Sequence, residues 1–219
     1  GALILFLADL ILEEDTEGKF LVGNSSVYEV GANRVLINAL PASGLINLRI
    51  ASVDVLTELL VKRGIEPAEA RFVVAGFDSW RNELLSQGAR DYVLKTLEDV
   101  FLAPTIDRRI FDALRDHTYV ASVTNSGRQS PSFFMSPFVR DVMVSANEYL
   151  EEEFSFSDTD DVFLSGSGLL RVDAIIEQGG RKWLRRQWIK LGGRTDSFLR
   201  WKVWRVEPAR VYLDPERHV

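Results

Sequence analysis

Cysteine is absent from the 219 residues, which excludes disulfide frameworks, thiolate nucleophiles and cysteine-ligated zinc. That absence leaves the compartment open, since a cysteine-free chain suits cytoplasm and periplasm equally. Histidine is almost as scarce: only His117 and His218 occur, so neither a His-based triad nor a multi-histidine metal site has material to draw on. Gly-rich phosphate loops and Walker patterns are missing too. Long apolar runs are equally few. The opening stretch "GALILFLADLILEED" reaches Glu13 before it could span a bilayer as a helix, and it lacks the positive flank of a signal peptide. Two readings of it stand: a core helix apolar nearly all round, or the distal half of a longer helix that begins upstream of Gly1. What remains is an ordinary globular composition, with 46% hydrophobic and 26% charged residues, a mean hydropathy of −0.02 and a net charge of −6. Such a chain can bury one good core or two small ones.

Periodicity places the elements. "VYEVGANRVLINAL" gives two β-rich runs around a Gly-Ala-Asn turn, a hairpin. A helical block runs from about Ala51 to Leu114. Its first helix starts at an N-cap Ser52 and stops with Gly64 at C′, with Val53, Leu56, Leu59 and Leu60 at helical spacing. The next has Pro67 in its first turn. "ARDYVLKTLEDVF" and "TIDRRIFDALRDH" read as two further amphipathic helical pieces, so that residues 97–120 loosely repeat the helical hairpin of 47–80. "TYVASVT" is a strand candidate, and "SPFVRDVMVSANEYLEEEF" reads as one helix with an acidic last turn that opposes its own dipole. From Gly168 onward, apolar and polar residues alternate around Gly179-Gly180 and Gly192-Gly193, predicting a three-stranded antiparallel meander.

Two features raise nucleic acid as a partner. Residues 181–205 hold nine Lys or Arg among Trp183, Trp188, Trp201 and Trp204, the makings of a single-strand stacking platform. A two-residue turn at Gly179-Gly180 argues against it. It sets Glu177 opposite Lys182, Asp173 opposite Arg186, Ile175 opposite Leu184 and Arg171 opposite Trp188, so the charges pair across strands on a solvent face. Leu170, Val172, Ala174 and Ile176 then form the core face with Trp183 and Ile189. The second feature is the helical hairpin around Gly64-Ile65-Glu66-Pro67, of a type that often offers turn amides to a DNA phosphate. Here Glu66 and Glu69 are negative and Pro67 removes a donor, so DNA binding is not expected. Arg194, Arg200, Lys202 and Arg205 leave some excess positive charge for an acidic partner surface.

The order of features resembles a known family. "GLINLRIAS" leads into a helical hairpin; "DSW", "GARDY" and "LEDVFLAPTIDRRIFDALRDHTYVASVTNSG" follow; a strand meander with a Trp-rich last strand closes the chain. This looks like the large minor pseudopilin of type II secretion, the general secretion pathway protein K (GspK) family. Asn47-Leu48-Arg49 resembles the family's Asn-Leu-Asn with its last Asn replaced. The Asp-Trp-x-Asp motif is matched only by Trp80, with Ser79 and Asn82 at the acidic positions. Gly88, Ala89, Arg90, Asp91 and Tyr92 resemble the Gly-Ala-Glu-Asp-x-Tyr-like segment, while "GRQSPSFFMSP" departs from the Asn-rich segment of the family.

The resemblance implies an α+β fold: a pilin-like α/β frame of N-terminal helix plus antiparallel sheet, from residues 1–48 and 162–219, with an all-α domain of helical hairpins inserted at 49–161. It implies a non-enzymatic subunit at the pseudopilus tip, a periplasmic domain of a protein held in the inner membrane by a helix upstream of Gly1. The tip position follows in the family because a bulky insert cannot be packed within a filament, and its partners would be the I- and J-type minor pseudopilins beneath it. It also implies calcium in the helical domain. Arg90 stands where an acidic ligand is expected, but Asp91, Asp158, Asp160 and Asp161 supply carboxylate oxygens of the kind Ca²⁺ takes. By helical spacing alone, Leu3, Phe6, Leu10 and Lys19 are the candidate partner-binding positions on the first helix. Two other readings compete. One is a helical-hairpin interaction adaptor unrelated to secretion. The other is a metal-dependent hydrolase using Asp91, Asp158, Asp160 and Glu151 to Glu153, for which no nucleophile motif is present.

Overall fold

The computed structural model describes residues 25–86, 94–120, 134–147, 168–191 and 201–212. The chain divides into two compact units, one made of Gly1–Ser43 with Asp158–Val219 and the other of Gly44–Ser157.

The discontinuous unit is built on one sheet. Strands β1 (Ser25–Val30) and β2 (Asn33–Pro41) form the expected hairpin, and β5 (Leu169–Gln178), β6 (Arg181–Leu191) and β7 (Trp201–Val206) form the expected antiparallel meander. The two join into one sheet because β2 pairs antiparallel with β5, giving the order β1-β2-β5-β6-β7. A short β8 (Arg210–Val211) pairs with β6 beyond β7. Gly179 and Gly180 take φ of +61° and +71°, the mirror-image turn that matches strand twist and that only glycine adopts cheaply at both positions. It fixes the register expected: Glu177 faces Lys182, Asp173 faces Arg186, Ile175 faces Leu184 and Arg171 faces Trp188.

The burial of that register corrects the sequence reading. The face carrying Asp173, Ile175, Leu184, Arg186 and Trp188 is buried, not solvated. The opposite face is buried as well, through Ile37, Ala39, Leu170, Val172 and Ile189, while Trp183, expected in the core, is 36% exposed. The paired apolar residues Leu169-Leu170 and Ile175-Ile176 at the two ends of β5 fit a strand that is covered on both sides.

The second unit is largely helical around one core. Helix α1 (Val53–Lys62) begins where the Ser52 hydroxyl accepts from the Val55 amide at 3.2 Å. It ends in a Schellman motif: Gly64 has φ +83°, its N–H reaches the Val61 carbonyl, and the Ile65 N–H reaches the Leu60 carbonyl. Helix α2 (Pro67–Ser86) starts on Pro67. Val55, Leu56, Leu59 and Leu60 of α1 meet Ala70, Val73, Val74 and Phe77 of α2 in the core. The expected helix around "KTLEDVF" is instead a 3₁₀ segment, Leu97–Leu102, in which the Asp99 carboxylate accepts from the Lys95 and Thr96 amides at 2.7 Å each. Its buried residues, Leu97 and Val100, are three apart, the 3₁₀ period, and Pro104 prevents continuation. Helix α3 (Arg108–Leu114) is capped by Asp107.

Two strands complete this unit. The strand expected at "TYVASVT" is observed as β4 (Thr118–Tyr119), pairing in parallel with β3 (Ile46–Asn47), so the helices are tied by a short ladder. Helix α4 (Pro137–Ser145) starts at Ser136 and closes at Asn147, whose φ is +55°. The acidic residues expected in its last turn, Glu151 to Glu153, lie outside the described residues.

Candidate interaction surfaces

The residues singled out from the sequence as sites, Asp91, Asp158, Asp160 and Asp161 for calcium and Leu3, Phe6, Leu10 and Lys19 for partners, all fall outside the described residues. Among the described residues no group of three or more His, Asp or Glu side chains is arranged to hold a metal ion, and no helix is long and apolar enough to cross a membrane.

The turn between α1 and α2 disposes of the DNA question by its own geometry. The Glu66 carboxylate accepts from the Glu69 amide at 2.9 Å, and the Ala68 amide also points to it. These two donations, the Ala68 one the larger influence, hold the carboxyl below its ordinary range. The amides that a phosphate would need at the start of α2 are therefore already taken by an anion belonging to the protein.

In the same unit, the segment resembling the family's Asn-Leu-Asn is an anchor. Asn47 is buried; its side-chain oxygen accepts from the Arg49 amide at 3.2 Å and its carbonyl from the Ile50 and Ala51 amides at 3.1 and 2.9 Å. Tyr119, opposite it across the parallel ladder, bonds to Asn47; burial raises the Tyr119 hydroxyl pKa, more than that bond lowers it. From α2, Arg81 donates to the Leu48 and Ala51 carbonyls at 3.0 Å each, pairs with Asp78 and lies over the Phe77 ring. Trp80 packs against the core beside Phe77, with ring centroids 5.8 Å apart. Arg81 belongs to no motif in the sequence, although Asp78 three residues before it on one helix face is a legible pair.

Among the described residues of this helical unit, the exposed large apolar side chains are Val53 at the start of α1, Phe72 on α2, 72% exposed, and Leu102 and Phe101 of the 3₁₀ segment. Phe101 stacks on Phe111 of α3 at 4.6 Å. Across the unit, Lys62 of α1 reaches Asp141 of α4 at 2.8 Å and Glu58 at 3.3 Å, and the bond to Asp141 is the chief cause of its raised pKa.

In the sheet unit, Arg186 grips Asp173 in a fork, Nε to Oδ1 at 2.7 Å and Nη2 to Oδ2 at 2.9 Å, with Arg171 Nε 3.3 Å from Oδ2. The buried Trp188 donates its indole N–H to Glu207 at 2.9 Å, and the Glu207 amide in turn reaches the Arg186 carbonyl. Two members of the imagined stacking platform, Trp188 and Arg186, are thus committed to the interior. Positive charge survives at the rim, where Lys190 lies directly opposite Lys202 and both are exposed.

No protein-family profile and no curated relative matches the chain. Its fold is similar to that of a chain in the crystal structure of the GspK–GspI–GspJ complex from the enterotoxigenic Escherichia coli type 2 secretion system. The similarity has a TM-score of 0.52 at 10% identity and covers 97% of this chain and 94% of that one. The mixed helix and antiparallel-sheet architecture is therefore shared over nearly the full length of both chains.

Proposed function

We propose that this chain is a minor pseudopilin, a non-enzymatic subunit that sits at the tip of a type II secretion pseudopilus and initiates or caps it. The observation that carries the reading is the full-length likeness in fold to a chain of the GspK–GspI–GspJ complex. It joins the order of features in the sequence, from the "GLINLRIAS" entry into the helical hairpin to the Trp-rich last strand. In this reading the sheet unit is the pilin-like frame, residues 44–157 are the insert, and the domain works in the periplasm below an inner-membrane anchor. Partners are I- and J-type minor pseudopilins, and the first helix, with Leu3, Phe6, Leu10 and Lys19, is the face that meets them. Calcium enters through Asp91, Asp158, Asp160 and Asp161.

Calorimetric titration into the soluble domains of the two other tip-type minor pseudopilins of the same source tests this, with calcium present in one run and chelated in the other. A 1:1:1 complex is the expected result, and dependence on calcium would assign the metal. Absence of binding in both runs would remove the tip role and bring the adaptor reading forward.

A further inference from the structure

Charge is sharply segregated along this chain. Between Arg181 and Tyr212 ten Lys or Arg stand against two Asp or Glu, a net +8, whereas the whole chain is −6, so all other residues together carry −14. The described part of this stretch carries β6, β7 and β8, and among the described residues no strand pairs with the outer edge of β7. On β7 Lys202 is exposed, as are Val203 at 37%, Trp204 at 50% and Val206 at 45%.

The register sorts those side chains by face. Lys202 lies opposite Lys190 and Arg205 opposite Trp188, on one face, whereas Val203 lies opposite Ile189 and Val206 opposite Gln187, on the other. Like charges set directly across a ladder repel, and Lys190 and Lys202 make no ion pair among the described residues. We infer that the outer edge of β7 receives an extended segment of a partner protein in which carboxylate and apolar residues alternate, added to the sheet as a further strand. Carboxylates of that strand would lie beside Lys202 and relieve its repulsion with Lys190; its apolar residues would cover Val203 and Val206 on the other face. Main-chain hydrogen bonds supply affinity in such an arrangement, and the alternation supplies specificity.

Lysine and a bulge are also the devices by which proteins blunt an exposed edge, and the ladder shifts register between Trp188 and Ile189. The two roles agree here. Lys202 on a second copy of this strand would be repelled, so the edge is closed to identical chains and open to acidic ones. A nucleic-acid strand is the less suited occupant, because Trp188 is buried and Arg186 is engaged with Asp173. This inference stands on the sheet unit alone and does not depend on the secretion reading.

The test titrates the full chain, by calorimetry, with a synthetic peptide alternating glutamate and valine and with another alternating lysine and valine. Only the glutamate peptide is expected to bind, more weakly as salt rises, with slowed amide exchange across Trp201–Val206. Reversing Lys190→Glu and Lys202→Glu should invert the preference, each reversal costing the glutamate peptide roughly fivefold in affinity. Lys202→Ala, which removes a single exposed charge, should give a smaller loss without inversion and guards against misfolding of the double variant. Equal affinity for the two peptides, no binding of either, or slowed exchange confined to other strands would overturn the inference.

Discussion

Asp173 is a buried carboxylate on the central strand of the sheet unit. It is buried at 7% exposure between two arginines, with both oxygens held by Arg186. Replacing it with alanine leaves the Arg186 cation buried without its counter-ion, which costs about 3–5 kcal/mol against the 0–1 kcal/mol of an exposed pair. Urea unfolding of Asp173→Ala is expected to show a loss of that size; a change under 1 kcal/mol would return the pair to the surface role that alternation alone suggests. Glu66 acts through pH. Its carboxyl is held below the ordinary value of 4.5, so its cap on α2 is present above that value and is lost as pH falls through the folded-state pKa. Glu66→Gln removes the titrating group while keeping an oxygen acceptor. Acid titration by far-UV circular dichroism should therefore show a shallower loss of helix in the variant, and identical curves would deny the cap its charge.

The packing of α2 against the segment before α3 shows what decides a contact between elements. A Cβ on Gly76, inside α2, would come within 2.3 Å of the Thr105 methyl and 2.9 Å of its hydroxyl, and that hydroxyl donates to the Val73 carbonyl at 3.0 Å. Alanine gains about 1 kcal/mol of helix propensity over glycine. Overpacking a filled site costs about 1–3 kcal/mol, and here it also strains a hydrogen bond. Gly76→Ala is therefore expected to destabilise. Thr105→Ser in the same chain, which deletes the obstructing methyl and keeps the hydroxyl, should recover most of the loss. A stabilised single variant, or no recovery in the double, would show that the loop moves aside. The start and stop of α1 were legible because Ser52 and Gly64 act locally on the backbone. The 3₁₀ segment was not: "ARDYVLKTLEDVF" has helical periodicity, whereas the described segment is short, starts where Asp99 accepts from the Lys95 and Thr96 amides, and ends before Pro104.

At the scale of the whole molecule, the β1–β2 hairpin and the β5–β6–β7 meander were each readable, whereas their union through β2 and β5 was not, because the two segments are far apart in the chain. The candidate metal and partner residues chosen from the sequence lie outside the described residues, while the groups that organise the described units, Arg81, Asn47 and the Asp173–Arg186 pair, act through contacts distant in sequence. The sequence by itself determined what depends on neighbours: the Gly179-Gly180 turn and hence the pairing of β5 with β6, the caps of α1, the start of α2, and the exclusion of thiol and multi-histidine chemistry. Only the tertiary structure decided which face of the sheet meets water. Alternation says that two sets of side chains point opposite ways, but burial depends on what is packed against each set. Both sets of the central strand are covered here, so charges read as surface lacing became a buried ion pair, and Trp183, read as core, came to the rim.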